Sequence, residues 1–182
     1  MKEIKILDNF LPEEIFRDLQ INLTGNKKIP LFISDAVSDN NDPLRGTPGY
    51  FQASYHVYEW PDEFSDLWQS KIPAIGQLLD TIPVLALKRM KINYLPYTKE
   101  IIEHPLHIDY GTPLDHPDYK RREGEKVCIY YLNTCDGYTH FGDGRKVGCV
   151  ENRACLFDSD MMHGSSTTTN ANWRMVINIV YF

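Results

Sequence analysis

Apolar positions along the chain follow two different spacings, and the change between them falls near residue 84. Residues 3–7 alternate in part and predict a short strand. Asp8-Asn9-Phe10-Leu11-Pro12-Glu13-Glu14 then reads as a helix start, with an Asx cap, an early proline and acidic first-turn residues. Ile15, Leu19 and Leu23 recur at i, i+4 and i+8 and make one apolar stripe. Residues 34–49 are rich in turn formers and predict the longest loop, of the kind that serves as a lid or binding loop. Pro61-Asp62-Glu63 predicts a second helix start, and Phe64, Leu67, Trp68, Ile72, Ile75, Leu78 and Leu79 keep helical spacing.

From about Val84 the period becomes that of strands. Leu85, Leu87, Met90 and Ile92 lead into Asn93-Tyr94-Leu95-Pro96-Tyr97. Short β-rich runs follow near His107 and over 127–133, 147–150, 153–157 and 173–182, and Asp136-Gly137 and Asp143-Gly144 are turn dipeptides between them. In the last run Met175, Ile177, Ile179 and Tyr181 form a face suited to packing on helices. Arg174, Val176, Asn178 and Val180 point the other way, into the interior of a small barrel. In 127–133 the faces are Ile129, Tyr131, Asn133 and Cys128, Tyr130, Leu132, and alternation alone does not choose between them. The expected fold is mainly β with flanking helices, a barrel or jelly roll in one domain. Residues 1–83 would give helical support and a substrate loop, and residues 84–182 the β-core. The aromatics Tyr50, Phe51, Tyr55, Tyr58 and Trp60 read as core rather than as a substrate groove.

Composition narrows the function. The chain has 182 residues, 42 % hydrophobic and 24 % charged, with a net charge of −6. No long basic run occurs, and the short runs Lys88-Arg89 and Lys120-Arg121-Arg122 stand out most, so no nucleic-acid partner is expected. No stretch approaches the ~20 apolar residues that span a bilayer, and the charged start Met1-Lys2-Glu3-Ile4-Lys5 does not lead into a signal sequence. A cytoplasmic location is expected, with Cys128, Cys135, Cys149 and Cys155 as free thiols.

The candidate chemistry lies in His107, Asp109, His163 and Arg174. His107 and Asp109 are two apart, so on a strand they share a side, and the 54 positions from Asp109 to His163 let a second strand bring in another imidazole. Two imidazoles and one carboxylate occupy one face of an octahedral metal and leave positions open, as in non-haem Fe(II) oxygenases. A structural zinc site would normally need a fourth protein ligand. Arg174, 11 residues after His163, adds a fixed cation whose partner is either a protein carboxylate or that of a ligand. His104, His116 and His140 read as loop or supporting residues, and Ser165 to Thr169 as a polar hairpin loop.

These residues sit in a longer pattern. Ile6 to Glu14, Asn93-Tyr94-Leu95-Pro96, His107-Ile108-Asp109, Cys128 to Asn133, Gly137-Tyr138-Thr139-His140-Phe141, Cys155-Leu156-Phe157, His163-Gly164, Arg174 and Tyr181-Phe182 follow one another in order. Over most of its length the chain resembles the prolyl-4-hydroxylase-like branch of the 2-oxoglutarate/Fe(II)-dependent dioxygenases. Asp136 stands where that family has the first glycine of a pair, and nothing in 34–60 matches. The resemblance implies a double-stranded β-helix with Fe(II) on His107, Asp109 and His163. Arg174 and Tyr131 would take the distal carboxylate of the cosubstrate 2-oxoglutarate. Ile129 would line the same pocket, which turns Ile129 and Tyr131 inward; Tyr94 and Asn178 would also face the cosubstrate.

O2 would be the oxidant, with ascorbate as a possible iron reductant. The implied reaction is hydroxylation of an unactivated C–H, foremost a prolyl residue of a peptide or protein. A small-molecule hydroxylase and a non-catalytic cupin-like binding module are the alternatives, and Asp109 argues against a halogenase, which needs that position free for halide.

Overall fold

The computed structural model describes residues 1–26, 29–35, 37, 43–47, 50–59, 72–109 and 124–182. The strands are β1 (Ile4–Leu7), β2 (Phe32–Ser34), β3 (Gln52–Glu59), β4 (Leu87–Pro96), β5 (Lys126–Tyr131), β6 (Tyr138–Phe141), β7 (Lys146–Gly148), β8 (Arg153–Asp158), β9 (His163–Ser165) and β10 (Trp173–Tyr181). The helices are α1 (Glu13–Ile21) and α2 (Pro73–Thr81). Seven strands form an antiparallel sheet in the order β1-β8-β5-β10-β4-β3-β2, and a smaller sheet has the order β7-β6-β9. The architecture is a double-stranded β-helix, the expected jelly roll.

Side-chain alternation builds two cores. The face of β10 carrying Met175, Ile177, Ile179 and Tyr181 packs, with Cys128, Tyr130 and Leu132 of β5, against Phe16 and Leu19 of α1 and Ile75 and Leu78 of α2. The opposite face, with Val176, Val180, Ile129 and Tyr131, meets Phe141, Val147 and Cys149 from the smaller sheet's side. The orientation that alternation left open in β5 is therefore Ile129 and Tyr131 toward the smaller sheet.

The N-terminal half departs from its expected pattern in three ways. The residue before α1 is Pro12, which lacks a side-chain cap, while Asn9 adopts a left-handed φ of 51° and Asp8 pairs with Arg153. The Asx cap is absent because these residues tie the entry segment to the sheet: buried Asn152 accepts from the Leu11 amide and from the Tyr130 hydroxyl and donates to the Leu11 carbonyl. The buried stripe is Phe16, Leu19 and Leu23, with Ile15 beside it. Finally, β3 is eight residues long and joins the large sheet through β4, so strands from both sides of position 84 share it. Tyr50 is buried, and Tyr55 and Tyr58 pack against the helical core. The expected helix start at 61–63, Trp60 and half of the 34–49 loop lie outside the described residues. Among the described residues, no helix is long and apolar enough to cross a membrane.

Candidate metal centre and diacid pocket

His107 and His163 face each other across an isolated antiparallel bridge, with each amide donating to the other's carbonyl at 2.9 Å. Their ring centroids lie 5.0 Å apart. The Nδ1 of His107 bonds the Pro105 carbonyl at 3.1 Å, and that of His163 bonds the Met161 carbonyl at 3.0 Å. Donation from Nδ1 leaves both Nε2 lone pairs free, the tautomer a metal ligand requires. Both Nε2 atoms point at Asp109: His163 at 3.3 Å from Oδ2, and His107 at 3.8 Å from Oδ1. One donor atom from each of the three residues falls within 4.8 Å of the others. Asp109 and His163 are buried, and His107 is 26 % exposed, so the open side of the triad lies toward His107.

Two further residues fix the carboxylate. Arg89 donates to the Asp109 carbonyl at 2.6 Å and to Oδ1 at 2.7 Å, and the Asn178 amide donates to Oδ2 at 2.6 Å. Burial opposes ionisation of Asp109. The charge of Arg89, followed by His163, outweighs it and holds the group well below the usual carboxylate range. For His163, burial favours the neutral ring, but the Asp109 charge and its hydrogen bond raise the pKa. The charges that hold the triad together are those expected where a cation belongs. The donor set fits a divalent metal, with two neutral imidazoles, one carboxylate and an open side.

A second unmet demand lies deeper in the same cavity. The fully buried Arg174 donates from Nη2 to the Thr139 hydroxyl at 3.1 Å, while its Nε and Nη1 have no hydrogen-bond partner among the described residues. No carboxylate pairs with it there. The Tyr131 hydroxyl donates to the same Thr139 oxygen at 2.8 Å, and the guanidinium carbon stands 5.6 Å from the Tyr131 ring centroid. An unpaired buried cation is costly, so the site calls for an anion. Gly137 makes room for it: a Cβ there would lie 2.7 Å from both Arg174 Cδ and the Thr167 carbonyl. Beside it, the side-chain interaction with Cys149 lowers the pKa of the Cys135 thiol to about 6 against the opposing effect of burial. All four cysteines are free, as expected.

His107, Asp109, His163, Arg174, Ile129 and Asn178 all line one cavity of about 180 Å³. Tyr131 reaches it through Thr139. Tyr94 does not. It pairs with Met175 across β4 and β10, shares that residue's face and lines a separate pocket with Trp173 and Ile92. Asn93 occupies the inward position instead, because Tyr94 shares the parity of Met90 and Ile92, which face the helical core. Asn178 faces the cavity, but its amide holds Asp109 rather than standing free for a cosubstrate.

His104 and His140 are supports: His104 Nδ1 bonds the Ser165 hydroxyl at 2.6 Å, and His140 Nε2 bonds the His104 carbonyl at 3.0 Å. His116 lies outside the described residues. Ser166, Thr167 and Thr168 form no exposed hairpin; they are buried, and their hydroxyls bond the Tyr138 amide, the Ile102 amide and Asp136. Missing from the sequence reading were Arg89, Lys91 and Thr139. The alternation of charged and apolar residues over 88–93 could have located Arg89 and Lys91.

No family model matches the chain, and no curated protein matches it in sequence. Solved structures do match in fold. One is a prolyl hydroxylase from Trichoplax adhaerens in complex with a hypoxia inducible factor oxygen degradation domain peptide, at 16 % identity and a TM-score of 0.66, covering all of this chain and 84 % of that one. A Pseudomonas putida prolyl-4-hydroxylase, at 16 % identity, has a TM-score of 0.56 with coverage of 100 % and 92 %. HygX from Streptomyces hygroscopicus, with nickel and 2-oxoglutarate bound, is 11 % identical at a TM-score of 0.58, with coverage of 98 % and 82 %. Shared with all three is the double-stranded β-helix.

Proposed function

We propose that the chain is an Fe(II)- and 2-oxoglutarate-dependent dioxygenase that hydroxylates a peptidyl substrate at a prolyl residue. The supporting observation is that a facial two-histidine, one-carboxylate set and an unpartnered buried guanidinium open onto one cavity. His107 Nε2, His163 Nε2 and an Asp109 oxygen would hold the iron. When bound, iron supplies the open positions and the redox chemistry by which O2 and 2-oxoglutarate are consumed.

The chain's own groups have separate tasks. Arg174 offers unsatisfied guanidinium N–H groups to the distal carboxylate, and the Thr139 hydroxyl, held by Tyr131, steadies the guanidinium. Ile129 and Val176 provide apolar wall that excludes water from the diacid's methylene chain. Arg89 and Asn178 keep Asp109 ionised and oriented, and the Pro105 and Met161 carbonyls keep both imidazoles in the ligating tautomer. Prolyl hydroxylases recur among the structural neighbours, one of them with a peptide bound, which favours a prolyl target.

The test is succinate formation from 2-oxoglutarate with Fe(II), ascorbate and O2, first without and then with proline-containing peptides, with mass spectrometry for a gain of one oxygen. Iron binding without succinate in either condition refutes the enzyme and leaves a binding module. A second reading, a small-molecule substrate, draws on HygX, which is also solved with hygromycin B bound. Succinate formation unaffected by every peptide would favour it.

A further inference from the structure

We propose that Lys91 forms an anion subsite beside the metal centre, one that selects peptides carrying a carboxylate next to the residue to be oxidised. The proposal rests on the function proposed above. Lys91 lines the same cavity as the triad, on the inward face of β4, directly across from Asn178. Asn178 in turn holds Asp109. Lys91 is half-buried, and its ammonium makes no hydrogen bond or ion pair among the described residues.

The neighbouring groups are already engaged. Arg89 binds Asp109, and Glu59, the acid nearest in register, binds His56 Nδ1 at 2.7 Å. Asp109 and Glu59 act on the Lys91 charge without touching it, against Arg89 and partial burial, so the position has room for an anion in direct contact.

The distal carboxylate of the cosubstrate, gripped by Arg174, is not that anion. Arg174 and Asn178 are four residues apart on β10, so the backbone of Lys91, across from Asn178, lies roughly 13 Å along the sheet from that of Arg174. A five-carbon diacid gripped at Arg174 ends at the triad. Charge points the same way. Arg89, Lys91 and Arg174 face one carboxylate, Asp109, among the described lining residues. A divalent ion adds two positive charges and 2-oxoglutarate removes two, so the loaded cavity keeps an excess of cations that a carboxylate on the substrate neutralises.

The experiment titrates three acetylated peptides, each with a single proline, into the full chain loaded with Ni(II) and 2-oxoglutarate. The first has aspartates flanking the proline and an amidated end, the second has asparagines and an amidated end, and the third has asparagines with a free C-terminal carboxylate next to the proline. At least one acid peptide should bind tenfold or more tightly than the neutral one, and which of them does so identifies a side chain or a chain terminus as the source. Lys91→Met should abolish that preference, Lys91→Arg should retain it, and both variants should keep wild-type affinity for 2-oxoglutarate. Equal binding of all three peptides, no binding of any to protein that does hold 2-oxoglutarate, or a preference that survives Lys91→Met overturns the subsite. Loss of 2-oxoglutarate affinity in Lys91→Met would assign the lysine to the cosubstrate and overturn it too. Failure of wild-type protein to bind 2-oxoglutarate or form succinate is a separate result, which removes the proposed function itself.

Discussion

Replacing Arg174 by methionine separates two roles that a buried arginine can play. In the metal- and diacid-free protein, the side chain makes one hydrogen bond, to Thr139, and leaves Nε and Nη1 without partners. Losing that bond costs about 1 kcal/mol. Removing an unpaired cation from a buried position returns a comparable amount, and methionine fills much of the same space. The apo variant should therefore unfold within a few degrees of wild type. Ligand binding should respond very differently. Two charge-assisted hydrogen bonds at roughly 1.5–3 kcal/mol each amount to roughly 3–6 kcal/mol, a loss of about two to four orders of magnitude in affinity. Isothermal titration of 2-oxoglutarate into Ni(II)-loaded protein measures this directly, and thermal denaturation of the apo proteins supplies the control. Arg174→Lys should fall between, since an ammonium keeps the charge without the planar fork. A folded Arg174→Met protein that binds 2-oxoglutarate within threefold of wild type would refute the diacid role. A collapse in apo stability would mean that Arg174 serves the fold.

Three further outcomes are expected. His163 has a raised pKa in the apo protein, so its contribution to stability is complete below about 6.5 and is lost as pH rises through the folded value; Asp109, held low, contributes above about 4 and loses that on acidification. The His163 contribution to apo stability, read as the difference between wild type and His163→Gln, should therefore decline as pH rises from 6, and the thermal shift produced by Ni(II), which needs neutral imidazoles, should grow over the same range; a metal-induced shift that shrinks with pH would contradict the ligand assignment. Gly137→Ala should cost about 1–3 kcal/mol and weaken 2-oxoglutarate binding together, because the new methyl meets the Thr167 backbone and Arg174; denaturant melts and titration report the two effects. Cys135, half-buried and lowered to about 6, should react with iodoacetamide at pH 7 well before buried Cys128, Cys149 and Cys155, as read by peptide mapping of the folded protein.

The chain's periodicity carries most of this architecture, and the reason differs by segment. β10 is legible because it is nine residues long, with one face wholly apolar and the other interrupted by Arg174 and Asn178, so both core and cavity register in the pattern. The triad is legible because an H-x-D spacing survives even where the backbone makes only an isolated bridge. β4 is harder. Tyr94 and Asn93 are adjacent, and a shift of one position exchanges which faces the cavity; only pairing with β10 fixes it. Residues 165–169 look like an exposed loop because serine and threonine usually mark one, yet their hydroxyls are consumed by partners up to 69 positions away, as in Thr98 with Thr167. Arg89 pairs with a residue 20 positions on, which no local pattern encodes.

The clasp of Arg89 and Asn178 on Asp109 has a further consequence. Because β4 and β10 set the orientation of that carboxylate before any ion arrives, loading demands little rearrangement and loss leaves the scaffold standing. Chelation should silence such a protein without unfolding it, and a fresh ion should restore it in a single step rather than by refolding.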